Sequence, residues 1–287
     1  MKERIVNRRT SWYVINVKAR RQQNESHYVD AFEAIATSDP LVEVGRVSNR
    51  YMSIKSLSKS EILTNAGCPT WMQLTVVAYT IIDENAFYNR RSKEDITMEW
   101  DSDIVANKKE TDLIVIPAVH KVVMKHNSDI TLNYVVEYLE GALNSIESEG
   151  FDVTTVKDQE TIDKIRSAKK LISMKANISY SNPGHGNTFN GLFDQKMQAS
   201  NLISAEITLQ GSTDHPLSRE TDGMVDAILN ISEQNGTVEA IVQNGESHLS
   251  QEKIITSEHP FIMRLSQIIG SVCTTLYNEL KTRYSNH

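Results

Sequence analysis

Groups of positively charged side chains are the feature of this chain best suited to binding phosphate groups. They occur near the N-terminus, near residue 90, and on and after one predicted helix. Arginine and lysine neutralise phosphates, and such contacts weaken as the salt concentration rises. The candidate nucleic-acid-binding residues are Arg8, Arg9, Lys18, Arg20, Arg21, Arg90, Arg91, Arg166, Lys169 and Lys170.

The N-terminal group belongs to a marked charge asymmetry. The 287-residue chain has a net charge of −7. Residues 1–21 hold seven basic side chains and one acidic one, a charge of +6, so the remaining residues carry −13. This asymmetry indicates an anionic partner for the N-terminus. The plainer interpretation, a solvated basic arm that pairs with the acidic body of the same chain, stays open.

The helical group has its own alternative. Helical spacing places Arg166, Lys169 and Lys170 on one face, where they could contact phosphates together. An ordinary solvated helix face would show the same pattern. The sequence pI of about 5.7 speaks against a dedicated DNA-binding protein but permits a localised basic stripe.

A glycine-rich element, Pro183-Gly184-His185-Gly186-Asn187, lies between a predicted strand and a predicted helix. Backbone N–H groups at such a place can bind an anion. The element lacks the lysine that phosphate-binding loops use, so a simple strand-to-helix turn is the alternative.

Catalytic and metal-binding signatures are missing from the sequence. It contains no GxxxxGK[ST], GxGxxG, HExxH or GxSxG pattern, and no strand reads Glu-x-Lys. His120 and His126 share strand parity, but six residues of strand separate them by about 20 Å. We therefore predict no catalytic residues, no metal site and no cofactor. Enzymatic activity is less favoured than binding but stays open.

The predicted elements define an α+β fold. The first 55 residues read strand, helix, strand, strand, with the two short strands over 42–47 and 51–55. From residue 112 strands and helices alternate, which indicates a sheet with packed helices. Short amphipathic strands favour repeated β-α-β units over a doubly wound sheet. A long helix over 260–284 ends the chain.

The expected domains are a mixed α/β domain over 1–111 and a β-α-β domain with the C-terminal helix over 112–287. The first includes an irregular charged segment over 84–110, which could be a lid, a partner-binding loop or a mobile excursion.

The expected location is the cytoplasm, with no membrane contact. The start of the chain lacks the apolar core of a signal peptide, and no run approaches the roughly 18 apolar residues of a membrane span. Cys68 and Cys273 are distant in sequence and outside any CxxC motif, which favours two buried reduced thiols.

Several short motifs, in order, resemble an uncharacterised bacterial family, domain of unknown function 4747. The resemblance covers residues 12–265. Its motifs are Gly45-Arg46-Val47-Ser48-Asn49-Arg50-Tyr51, His120-Lys121-Val122-Val123-Met124, Asn182-Pro183, Asn235-Gly236-Thr237-Val238-Glu239-Ala240 and Thr256-Ser257-Glu258-His259-Pro260. That family has no established catalytic residues, and its members look like accessory genes of mobile and defence loci. The overall layout is also similar to the phage exclusion protein Rex A, which implies a DNA-binding dimer; the acidic charge of this chain departs from that pattern.

The functional expectation is therefore a nucleic-acid-associated protein of a bacterial anti-phage or mobile-element system, which acts by binding DNA or RNA. We expect a homodimer, because two-fold assembly is the commonest oligomeric state. Two alternatives stay open. One is a toxin or nuclease effector. The other is a protein-interaction subunit that senses a phage component or holds a partner protein from the same locus.

Overall fold

The structure is a computed structural model that describes most of the chain. The described residues are 5–6, 10–20, 24–45, 49–99, 101, 103–126, 128–146, 150–179, 196–197, 199–200, 202, 204–221, 223–245, 251–265, 268–269 and 271–284. Within them the helices are α1 (Glu25–Ser38), α2 (Leu132–Ile146), α3 (Gln159–Ser167), α4 (Met224–Asn235) and α5 (Val272–Tyr284). The strands are β1 (Ile5–Val6), β2 (Thr10–Ala19), β3 (Val42–Glu43), β4 (Arg50–Lys59), β5 (Met72–Thr80), β6 (Phe87–Asn89), β7 (Glu94–Ile96), β8 (Ala106–Ile116), β9 (Lys121–Lys125), β10 (Phe151–Thr155), β11 (Lys170–Ser179), β12 (Ser204–Gln210), β13 (Gly236–Gln243), β14 (Gln251–Ile255), β15 (Ile262–Leu265) and β16 (Ile268–Ile269). The predicted α+β class is confirmed.

The chain divides into two units that are not continuous in sequence. The first comprises Met1–Trp12, Asn24–Val153 and Arg264–His287, and the second comprises Tyr13–Gln23 and Thr154–Met263. The division passes through β2 and β10. The predicted domain boundary between residues 111 and 112 falls within β8.

The largest sheet has the strand order β10-β2-β9-β8-β5-β4-β3, with β15 also paired to β2. Its β3–β4, β4–β5, β5–β8 and β8–β9 pairs are antiparallel. The order β10-β2-β9-β8, with α1 after β2 and α2 between β9 and β10, is that of a ferredoxin-like β-α-β-β-α-β motif. Strands β3 to β7 form an insertion between α1 and β8, and β3 to β5 extend the sheet.

Two amphipathic helices supply much of the core of the first unit. The side chain of Asn24 caps α1 by accepting a 2.9 Å hydrogen bond from the backbone N–H of His27. Helix α2 buries Val135, Tyr138, Leu139 and Leu143, a stripe with helical spacing.

The second unit contains a four-stranded antiparallel sheet of order β12-β11-β13-β14. Strands β12 and β13 lie on either side of β11 and are joined by α4, which is a split β-α-β unit. The apolar side chains of α3 and α4 pack with one face of this sheet, including Ile165, Ile228, Met174 and Val238. The repeated β-α-β arrangement expected from the sequence thus takes the split form.

Three predicted elements differ from the structure. The terminal helix begins at Val272 rather than at residue 260, because Ile262–Leu265 form β15 in the large sheet. The apolar spacing of that segment suits both a helix and a strand, and tertiary pairing decides between them. The strand expected over 42–47 is described only as Val42–Glu43. The segment 84–110 contains β6, β7 and the start of β8 rather than irregular structure alone.

Candidate nucleic-acid interface

Between β5 and β8 the described residues 81–99, 101 and 103–105 include the hairpin of β6 and β7, and we call this segment the hairpin arm. Strands β6 and β7 pair antiparallel, with Phe87 opposite Ile96 and Asn89 opposite Glu94. They form a two-stranded sheet of their own. Side chains along the arm are mostly exposed, including Tyr88 at 58 %.

The tip of the arm, residues 90–93, is held by a side-chain-capped turn. The Asn89 Oδ1 atom accepts hydrogen bonds from the backbone N–H groups of Arg91 at 2.9 Å and Ser92 at 3.1 Å. The backbone N–H of Lys93 donates to the Asn89 carbonyl at 2.7 Å, and Lys93 has a left-handed φ of 62°. Asparagine commonly supports turns in this way.

The turn presents three cations to solvent. The side chains of Arg90, Arg91 and Lys93 are exposed, and none has an ion-pair or hydrogen-bond partner within the described part of the chain. Glu94 and Asp95 follow directly on β7, so the neighbourhood of the tip also contains negative charge. The exposed ring of Tyr88 lies next to the tip, and an aromatic ring beside cations is typical of surfaces that bind single-stranded nucleic acid.

Arg166, the predicted site residue on α3, is instead engaged by acidic side chains. Its guanidinium lies 3.5 Å from Asp163, 3.6 Å from Asp226 and 4.0 Å from Glu233. It also donates a hydrogen bond to Asn230. The positive charge of Arg166 is therefore balanced within the protein and ties α3 to α4.

Lys169 and Lys170 follow Arg166 but do not form one surface with it. The Lys170 ammonium donates to the Thr213 carbonyl at 2.8 Å and is partly buried. The Lys169 side chain is exposed, while its backbone N–H donates to Asn244 at 3.1 Å. Arg219, which the sequence did not single out, donates to the backbone carbonyls of Arg166 at 2.8 Å and Lys169 at 3.3 Å, and also to that of Ala168, and so caps the end of α3.

The N-terminal group is only partly described. Arg8, Arg9 and Arg21 lie outside the described residues. Lys18 is only 2 % exposed on β2, which withholds it from phosphates in this conformation. Arg20 is partly exposed just after β2 and engages in interactions within the protein.

A further cationic group was not recognised in the sequence because its members come from two distant strands. Lys55 on β4 and Lys108 on β8 both form ion pairs with Glu110, the former at 2.6 Å. These lysines hold the pKa of Glu110 below its usual range. One carboxylate therefore serves two cations. The pairing of β4, β5 and β8 would have been needed to find it.

Strand β9 of the large sheet does not offer the platform that ferredoxin-like RNA-binding domains use. Those domains stack bases on aromatic side chains of an exposed sheet face. Here the central strand β9 is buried on both faces, since Lys121, Val122, Val123 and Met124 are at most 8 % exposed. Burial lowers the pKa of Lys121 to about 8, and its ammonium lies 4.8 Å from the ring centre of Tyr284 on α5.

The structure also bears on the metal, glycine-loop, cysteine and membrane features considered in the sequence. Among the described residues, no group of three or more His, Cys, Asp or Glu side chains could hold a metal ion. The glycine-rich element over 183–187 lies outside the described residues. Cys68 and Cys273 are buried free thiols, as predicted. No helix in the described ranges has the length and apolar character needed to cross a membrane.

The motifs that carry the family resemblance have structural roles where they are described. The backbone N–H of Gly45 donates to Glu137 on α2 at 2.6 Å, and Gly45 packs so closely on Tyr134 that a Cβ would lie 2.5 Å from its ring. The Thr256 hydroxyl accepts a 2.9 Å hydrogen bond from the backbone N–H of Val238. Asn182-Pro183 lies outside the described residues.

Residues 8–274 match the family model described as "Domain of unknown function (DUF4747)". No curated protein matches the chain. The likeness to Rex A that the layout suggested therefore has no support.

Proposed function

The chain belongs to the DUF4747 family, and from this premise we propose that it is a nucleic-acid-binding protein whose hairpin arm contacts phosphates. It would act by binding rather than by catalysis, within an anti-phage or mobile-element system. The observation that carries the proposal is the hairpin tip, where Arg90, Arg91 and Lys93 project into solvent without a partner among the described residues.

The tip meets two requirements of a phosphate contact. Its cations are held close together by the Asn89 turn, so little backbone order has to be gained on binding. Their charges are not neutralised by described side chains, in contrast to that of Arg166. Three phosphate contacts would give a salt dependence with a slope of about −2.7 for duplex DNA.

The test is fluorescence anisotropy with labelled duplex and single-stranded oligonucleotides at increasing salt. The Arg90→Gln/Arg91→Gln variant should weaken binding at least about tenfold at low salt and reduce the salt slope by about 2. The matched control is Lys164→Gln/Arg264→Gln, which removes the same charge from exposed positions elsewhere. Equal losses in the two variants, or no binding by the unmodified chain at low salt, would refute the proposal.

The defence or mobile-element setting rests on the family resemblance. Its test compares the efficiency of phage plating on cells that express the unmodified chain and on cells that express the Arg90→Gln/Arg91→Gln variant. Protection that requires the two arginines supports both parts of the proposal, whereas equal plating with and without the protein opposes the setting.

One observation favours the protein-interaction alternative. The hairpin arm also exposes apolar side chains, with Ile104 at 52 % and Met98 at 38 %. Exposed apolar groups with a polar rim are typical of protein contacts. Co-purification with products of neighbouring genes tests this alternative: Met98→Ser/Ile104→Ser should lose the partner while Arg90→Gln/Arg91→Gln keeps it. An unmodified chain that purifies without any of these products would oppose it.

A further inference from the structure

The hairpin arm carries opposite charges at its two ends. The tip has Arg90, Arg91 and Lys93, which outnumber the adjacent Glu94 and Asp95 of β7. The base, where the arm leaves β5 and returns to β8, has Asp83, Glu84, Glu99, Asp101 and Asp103, all of them exposed. The carboxylates of Glu84, Glu99 and Asp103 have no ion-pair or hydrogen-bond partner within the described ranges.

The base of the arm also contains a cavity of about 320 Å³. Three acidic side chains, Asp83, Glu84 and Asp101, line it together with apolar ones, including Ile104. This combination suits an arginine, which has an apolar stem and a charged end. The acidic and apolar lining of the cavity therefore suits the arginine side chains at the tip.

Within one arm the tip and the base are separated by β6 and β7, strands of three residues that span about 10 Å. This separation exceeds the Debye length of about 8 Å at physiological salt, so the attraction between the tip and the base of the same arm is screened. A second copy could satisfy both ends, because two arms that pack antiparallel place each tip on the other base.

An isolated two-stranded hairpin is marginally stable in water. The two-stranded sheet β6–β7 pairs with no other described strand, and all of its residues except the partly buried Phe87 are exposed. A neighbouring arm would cover the exposed side chains of Tyr88 and Met98 between the charged ends.

We infer that two copies of this chain associate through their hairpin arms, with the arginines of each tip in the acidic cavity at the base of the other. The contact is isologous, so one pair of complementary surfaces occurs twice. Nucleic acid competes for the same tip cations, so its binding opposes self-association.

Charge exchange between two variants tests the inference. The tip variant is Arg90→Glu/Arg91→Glu/Lys93→Glu. The base variant is Glu84→Lys/Glu99→Lys/Asp103→Lys, chosen because these carboxylates accept no hydrogen bond from described residues. Sedimentation velocity should show a salt-sensitive dimer for the unmodified protein and at least about tenfold weaker association for each variant alone, because the tip variant places carboxylates against the acidic base and the base variant removes the net negative charge of the base. An equimolar mixture of the two variants should dimerise again, because every contact is then complementary.

Three results would each overturn the inference. The first is an unmodified chain that stays monomeric at about 100 µM, a concentration far above the Kd of a specific dimer. The others are a mixture of the two variants that stays monomeric, and single variants that associate as strongly as the unmodified protein. Circular dichroism of both variants verifies that they are folded. The base variant retains the tip cations, so its oligonucleotide affinity tests the proposed function separately. Oligonucleotide binding without dimers would contradict only the inference. Dimers without oligonucleotide binding would contradict only the proposed function.

Discussion

The hairpin tip and the end of α3 present the same residue types in different electrostatic settings. At the tip, Arg90 and Arg91 project into solvent from a short turn. At α3, Arg166 lies among three carboxylates from two helices. The sequence makes the two groups look alike because it shows the spacing of the cations but not the acids that the fold brings to one of them. A cluster of arginines therefore indicates a phosphate site only after its partners within the protein are known.

The largest expected effect comes from Arg219, which, like Arg166, is engaged by groups of the protein at the end of α3. Arg219→Ala should lower the free energy of unfolding by about 2 kcal/mol, because charged hydrogen bonds to the partly buried carbonyls at the end of α3 are lost. Urea denaturation measures this change. Arg219→Lys should recover part of the loss, and oligonucleotide affinity should stay unchanged. A stability loss below about 0.5 kcal/mol, the range of ordinary surface substitutions, would show that the cap is unimportant.

A buried cation gives the next effect, and it depends on pH. Burial lowers the pKa of Lys121 from 10.5 to about 8. Below pH 8 the charged form is buried at a cost; between about pH 8 and 10.5 the unfolded chain keeps the proton that the folded chain releases, so stability rises with pH. Lys121→Met should therefore stabilise the protein by about 2 kcal/mol at pH 7, after the loss of the lysine's contacts, which include that with Tyr284.

The measurement is the difference in unfolding free energy between the unmodified protein and Lys121→Met from pH 6 to pH 10. The difference should shrink as pH rises through 8. Lys157→Met serves as a second case, because burial also lowers the pKa of Lys157 to about 8. A difference that is constant over this range would contradict the assignment of the cost to a buried charge.

Arg166 tests the comparison directly. Arg166→Ala should lower the free energy of unfolding by about 1.5 kcal/mol, because Asp226 and Glu233 lose their shared cation. Oligonucleotide affinity should not change, since the guanidinium is already neutralised. Anisotropy and urea denaturation on the same preparation separate the two readouts. Weaker oligonucleotide binding without a loss of stability would indicate that Arg166 contacts nucleic acid instead.

Much of the fold could be predicted from local sequence signals, whereas the candidate site could not. The stripe of α2 and the Asn24 cap of α1 depend on neighbouring residues, so their periodicity and chemistry are visible in the sequence. The start of the last helix could not be placed, because pairing to a distant strand decides the structure of Ile262–Leu265. The state of Arg166 depends on Asp226 and Glu233, which are at least 60 residues away in sequence. Within the arm, the Asn89 turn was not predicted, because the segment shows no strand periodicity on either side of it, and the exposure of Tyr88 depends on β6 and β7 pairing only with each other.

The smallest expected effect concerns Lys169, the exposed member of the α3 group. Its side chain has no partner within the described part of the chain, so Lys169→Ala should change the unfolding free energy by less than about 0.5 kcal/mol. A single isolated cation beside the neutralised Arg166 contributes little to phosphate binding, and affinity should fall by less than about twofold. Lys93→Ala, which removes one cation from the hairpin tip, should by contrast reduce the salt slope by about 1 at equally unchanged stability. Equal salt slopes for Lys169→Ala and Lys93→Ala would contradict the difference between the end of α3 and the hairpin tip, because membership of a cluster of unpaired cations would then have no effect on binding.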